Sequence, residues 1–251
     1  MSAASFTLRC AAAKAARFGL RVSGDSIDLV ERPSGGLSLI LADGQGHGEA
    51  AKRVSGPVVA RIASLLADGA RDGAAARMAH DVLHHGRSGR VSSTLVILSA
   101  DAPSEALVVT RSGDSPVYVR RPADADGPDR VERLDDAQPP LGVVRWNRPA
   151  VQTYPLVPGA VLLGMSDGVF QTDRERGSVA VADAVGDALR DADPVDVRSL
   201  VEAVLRIAVD AASGRPRDDV TVLAMAVGPA PEDSGPASAS VRLDLEMRVH
   251  A

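Results

Sequence analysis

Four aspartates stand where the backbone has reason to turn: Asp25 in SGDS, Asp43 in LADG, Asp167 in MSDG and Asp218 in RDDV. Two of them repeat one design. LSLILADG and AVLLGMSDG each run an apolar stretch into Asp-Gly, delivering a carboxylate at its end, and the glycine lets the chain turn tightly or bring a carbonyl oxygen close to a ligand. Asp25 and the pair Asp218-Asp219 instead precede apolar stretches. Hard divalent cations such as Mg²⁺ and Mn²⁺ take oxygen ligands from carboxylates, carbonyls and water, so four such aspartates suit those ions. Asp and Gly are also the commonest turn formers. Taken singly, each motif reads equally as an ordinary turn, and spacing along the chain does not bring four turns together.

Other chemistry-bearing residues point nowhere else. Cys10 is the only cysteine, so it offers no internal disulfide and no metal cluster. It lies in an apolar strand-like stretch with no arginine-bearing phosphate loop after it. His80, His84 and His85 could pair at i,i+4 on a helix, but no third ligand or HExxH glutamate accompanies them, and a solvated helix face is the expectation. GQGHG at 44–48 has the look of a dinucleotide-binding turn, yet Glu49 stands where a third glycine belongs and Asp43 would sit beside the pyrophosphate.

The elements that must position these residues follow from periodicity. Short apolar runs at 5–10, 26–31 and 37–42 read as strands, and 49–66 carries Ala50, Val54, Val58, Ile62 and Leu65 at helical spacing. A second helix is expected over 72–85, after the Asp68-Gly69 break. Strands return at 92–99, 105–111, 115–121, 131–134, 151–156 and 160–165, helices at 178–191 and 195–212, and a last strong strand at 219–227. Strands, helix pair, strands, helix pair, strand is the order of an α+β protein, not of a parallel doubly wound sheet. Residues 1–228 show no internal boundary and are expected to form one domain. Beyond them, 229–240 (PAPEDSGPASAS) read as a flexible linker. In 241–251 Val241, Leu243, Leu245, Met247 and Val249 alternate with polar residues, the pattern of an extra edge strand, added within the chain or exchanged in a homodimer.

Composition excludes several classes. Six aromatic residues leave little for base stacking, and a net charge of −5 provides no basic footprint, so nucleic acid is not an expected partner. No apolar run reaches the roughly 18–20 residues needed to cross a bilayer, and residues 1–20 lack a secretory-type segment. A cytoplasmic protein is expected.

The four segments resemble a known family. VSGDS (22–26), LADGQGHGEAA (41–51), LLGMSDGV (162–169) and RDDVTVL (217–223) follow the order and approximate intervals of motifs in the metal-dependent phosphatases related to protein phosphatase 2C. They are most similar to the bacterial SpoIIE-like branch, including small RsbX-type enzymes without a sensor domain. SSTLVIL (92–98), RSGDSPVYV (111–119) and PPLGVV (139–144) look like the intervening strands. The resemblance implies two antiparallel sheets packed face to face between helix pairs, an α/β-β/α sandwich. It implies protein serine/threonine phosphatase activity with two Mn²⁺ or Mg²⁺ ions, whose bridging water attacks the phosphate in line. By the same resemblance Asp43 bridges the metals, Gly44 offers its carbonyl, Asp167 and Asp218 complete one ion, and Asp25 serves the other directly or through water. Asp219 is then a neighbour. His47, placed as in SpoIIE-like sequences, is expected to pack or hydrogen-bond at the helix start, and Arg21 is offset from the family's phosphate-binding arginine. The implied substrate is a phosphorylated STAS-domain protein. A catalytically weak or inactive member serving as a binding module is the alternative.

Overall fold

Strands buried on both faces form the middle of the molecule, and helices with one apolar stripe cover them. The computed structural model describes residues 6–123, 128–171, 175–229 and 247–250. One sheet holds β1 (Thr7–Ala15), β6 (Val117–Arg121), β7 (Arg130–Leu134), β9 (Val161–Met165), β10 (Val220–Gly228) and β11 (Met247–His250), in the order β11-β1-β10-β9-β6-β7. The other holds β2 (Ser26–Glu31), β3 (Gly36–Gly44), β4 (Ser93–Asp101), β5 (Ala106–Ser112) and β8 (Ala150–Pro155), in the order β2-β3-β4-β5-β8. Neighbours pair antiparallel, except β11, which runs parallel to β1 from Ala12↔Met247 to Ala15↔His250.

The period of two sorts each central strand into two cores. From β3, Leu39 and Leu41 enter the space between the sheets with Leu8, Cys10, Leu98, Leu162 and Met225. Its alternate residues Ile40 and Ala42 face outward onto Val58, Ile62 and Leu66 of α1 (Gly48–Ala67) and Ala76 and Ala79 of α2 (Asp72–Arg87). On the other side Ala11, Leu163 and Val222 meet Val185 and Leu189 of α3 (Glu175–Arg190) and Leu200 and Val204 of α4 (Val197–Ala211). The result is the expected four-layer α+β sandwich of two sheets between helix pairs.

Differences in detail have physical causes. β1 runs to Ala15, five residues past the expected end, because Cα pairing with β10 continues to Ala15↔Val220. AAAKA has little β propensity of its own, and the tertiary partner overrides it. Pro57 lies inside α1 without ending it. Of the C-terminal segment, Met247–His250 is seen as a strand beside β1, and the linker from 230 and residues 241–246 lie outside the described residues.

Candidate metal centre

The four aspartates arrive from four separate segments. Asp43 is the penultimate residue of β3, opposite Thr94. Asp167 opens a single 3-10 turn, Asp167–Phe170, directly after β9. Asp25 stands one residue before β2, and Asp218 two before β10, the strand that pairs with β9 at Val222↔Met165. Glycine is required beside two of them. A Cβ on Gly44 would lie 2.3 Å from the Ala51 carbonyl oxygen of α1, and one on Gly168 would lie 2.1 Å from that of Asp219.

Asp25 is fully buried. Its Oδ2 accepts the Thr221 hydroxyl, and its carbonyl oxygen accepts both Lys14 Nζ at 2.6 Å and Lys52 Nζ at 2.7 Å. These are the only two lysines in the chain. Asp219 spends both carboxylate oxygens on backbone, accepting Arg17 N at 2.9 Å and Gly24 N at 2.7 Å. It therefore shapes the loop that carries Asp25. Gln171 Nε2 donates to Asp167 Oδ2 and Asp218 Oδ2, each at 3.1 Å, a neutral spacer between two carboxylates.

The electrostatics record the convergence. Burial pushes the Asp43 carboxyl up to about 9, and the charges of Asp25, Asp167 and Asp218 add to that rise. Asp25 is raised to about 7, first by burial, against the Thr221 hydrogen bond and with help from Asp219. Asp167 is raised by burial and, after the opposing Gln171 contact, by Asp114 and Asp218. Burial lowers Lys14 to about 8, with the Lys52 charge acting in the same direction. Four like charges gathered in one place from distant segments are costly unless protonated or neutralised by a cation.

The donor set fits a hard divalent ion. Asp25 Oδ1 and Asp167 Oδ1 are buried without a hydrogen-bond donor. All the groups are oxygens, the chemistry Mg²⁺ and Mn²⁺ select. Among the described residues no three His, Cys, Asp or Glu side chains already stand in ion-holding geometry.

The structure thus brings Asp25, Asp43, Asp167 and Asp218 into one electrostatic cluster, with Gly44 at its edge. His47 takes the N-cap position of α1, exposed and without a side-chain cap bond, so the expected packing or hydrogen bond at the helix start is not made. Gln45 Oε1 accepts Ser92 N at 3.0 Å, just before β4. Arg21 is exposed. His80 is not on a solvated face: it is 1% exposed and its Nδ1 accepts Gly142 N at 3.0 Å, holding the 139–144 segment against α2. Lys14, Lys52, Gln171 and Thr221 were not legible as site residues. The one available signal was the rarity of lysine.

This sandwich, with carboxylates gathered where strands of both sheets end, has the architecture of PP2C-type phosphatase domains. It superposes on the PP2C phosphatase domain of SpoIIE from Bacillus subtilis, solved with a fragment of its regulatory domain, with a TM-score of 0.76 at 22% identity, covering 90% of this chain and 63% of that one. A structure from the bacterial stressosome matches at 0.62 and 20% identity, over 87% of this chain and 98% of the other. RsbX in complex with magnesium matches at 0.63 and 15%, over 86% and 94%. These likenesses are of fold. The sequence profile of stage II sporulation protein E (SpoIIE) matches residues 33–228, and the chain belongs to that family. The stage II sporulation protein E of Priestia megaterium is 27% identical over 214 residues, 84% of this chain, and that of Bacillus subtilis (strain 168) is 25% identical over 229 residues, 90% of it. The chain spans 35% and 26% of the lengths of these two relatives.

Proposed function

We propose that this chain is a metal-dependent protein serine/threonine phosphatase whose ions are held by Asp25, Asp43, Asp167, Asp218 and the Gly44 carbonyl. The observation that carries the reading is the rise of Asp43 to about 9 under burial and the charges of the other three aspartates, in a member of the SpoIIE family. Two Mn²⁺ or Mg²⁺ ions supply, when bound, an acidified water and positive charge against the phosphoryl oxygens. Asp43, within the electrostatic reach of all three partners, is the carboxylate suited to serve both ions. Asp25 is held from behind by Lys14 and Lys52 through its carbonyl, which leaves its carboxylate Oδ1 free to face the cluster. Gln171 keeps Asp167 and Asp218 together before a cation arrives.

Hydrolysis of p-nitrophenyl phosphate by the purified chain tests this. Turnover is expected with Mn²⁺ or Mg²⁺ and not in excess chelator. Activity that survives chelation discards the metal mechanism, and no activity with either ion leaves the phosphatase fold as a binding module. The substrate suggested by the SpoIIE-like resemblance, and supported by the fold shared with a stressosome structure, is a phosphorylated STAS-domain protein. Recognition of a folded surface, with α1 and α2 as the docking region, predicts a higher kcat/KM for the intact phosphoprotein than for a short phosphopeptide of the same site. Equal values would remove the docking claim and leave the chemistry standing.

A further inference from the structure

A concavity lined by none of the four aspartates lies between the end of β1 and α4. It encloses about 750 Å³, inside the range of about 300–1,000 Å³ usual for small-molecule sites. The hollow exists because β1 offers only alanines there: Ala13 and Ala15 face Leu205 and Val209 of α4, and their short side chains leave the space unfilled. The floor is therefore apolar. At the mouth Phe18 is 60% exposed, with the Arg215 guanidinium 5.3 Å from its ring centroid, and Leu20 is 39% exposed beside the apolar cavity.

The rim has the opposite character. Arg17, Arg21 and Arg206 contribute to the lining, and among the described residues none of the three has a carboxylate within ion-pair distance. Glu202, the one acid in the lining, takes Arg198 at 3.1 Å. Arginine stems lie along apolar walls while their heads reach water. In a chain of net charge −5, three guanidiniums without acids are a local reversal of sign that selects an anion.

We propose that this hollow binds a small amphipathic anion, an acidic head group on an apolar body, with the body over Ala13, Leu205 and Val209 and the head at the arginine rim. None of the four aspartates lines the site, and the proposal does not depend on the catalytic reading. Calorimetric titration of the full chain with decanoate, decyl phosphate and decyltrimethylammonium, all below micelle formation, tests it. One anion is expected per chain, the tighter of the two naming the head group, with the cation at least tenfold weaker. Arg206→Glu should weaken anion binding at least tenfold without changing the melting temperature, and Val209→Trp should fill the floor and remove it. Absence of anion binding, equal affinity for the cation, or an Arg206→Glu variant that binds as well as the parent would overturn the proposal.

Discussion

At Asp43 the cost of holding a buried carboxylate among three others becomes a measurable property. Its folded value of about 9, and that of about 7 for Asp25, stand above the roughly 3.9 of an unfolded aspartate, so the folded state holds protons that the unfolded chain releases. The stability this contributes is fully present below about pH 4 and is lost as pH rises through 7 and then 9, by up to about 1.4 kcal/mol per pH unit for each proton. In chelator the melting temperature should fall between pH 5 and pH 9, and it should fall less steeply in Asp43→Asn, which carries no charge there. Parallel curves for parent and variant would show that Asp43 does not carry the strain. The same substitution is expected to reduce Mn²⁺-dependent turnover at least about a hundredfold, since in the proposed function this carboxylate would serve both ions. His47→Ala should be milder, because that side chain is exposed at the N-cap and bonds nothing as a cap. Equal losses in the two variants would promote His47 to general acid.

Strand ends set the geometry, and glycines let them meet. Gly168 lies under the Asp219 carbonyl, where a Cβ would come to 2.1 Å, so Gly168→Ala must push the 218–219 segment away from Asp167. Gly36, at the start of β3 with φ +104°, faces the Ala100 carbonyl at a comparable 2.0 Å but belongs to the far end of the strand. Overpacking of this kind costs about 1–3 kcal/mol. Both alanine variants should lose stability, while only Gly168→Ala should also raise the Mn²⁺ concentration for half-maximal activity. A matching rise in Gly36→Ala would mean that general loosening, not displacement of Asp218, controls metal affinity.

Over the whole molecule, two sheets share an inner core and each carries its own outer core, so the edges are where segments can be removed. β11 adds to the β1 edge through four residue pairs, far fewer than the nine that join β1 to β10. We propose 1–228 as the catalytic unit and the segment after it as an accessory that covers an otherwise open edge. Truncation after Gly228 should lower the melting temperature or change the oligomeric state while Mn²⁺-dependent activity persists. Unchanged melting and mass, with amides 247–250 exchanging as fast as an unfolded peptide, would remove the edge strand.

The sequence by itself determined what local pattern can determine. The short apolar run in LSLILADG assigned β3, three- and four-residue spacing assigned α1 and α4, and four aspartate motifs in order marked the segments that meet. It did not determine the partners of those aspartates. Thr221 reaches Asp25 across 196 positions and Asp219 holds Gly24 across 195, and neither contact leaves a trace in the local pattern. Lys14 carried no site signal in the sequence and is a buried ammonium on the Asp25 carbonyl, and His80, expected on a solvated face, is a core histidine. Periodicity reports which face of an element is buried. What that face is buried against depends on how the two sheets stack, and only the tertiary structure decides it.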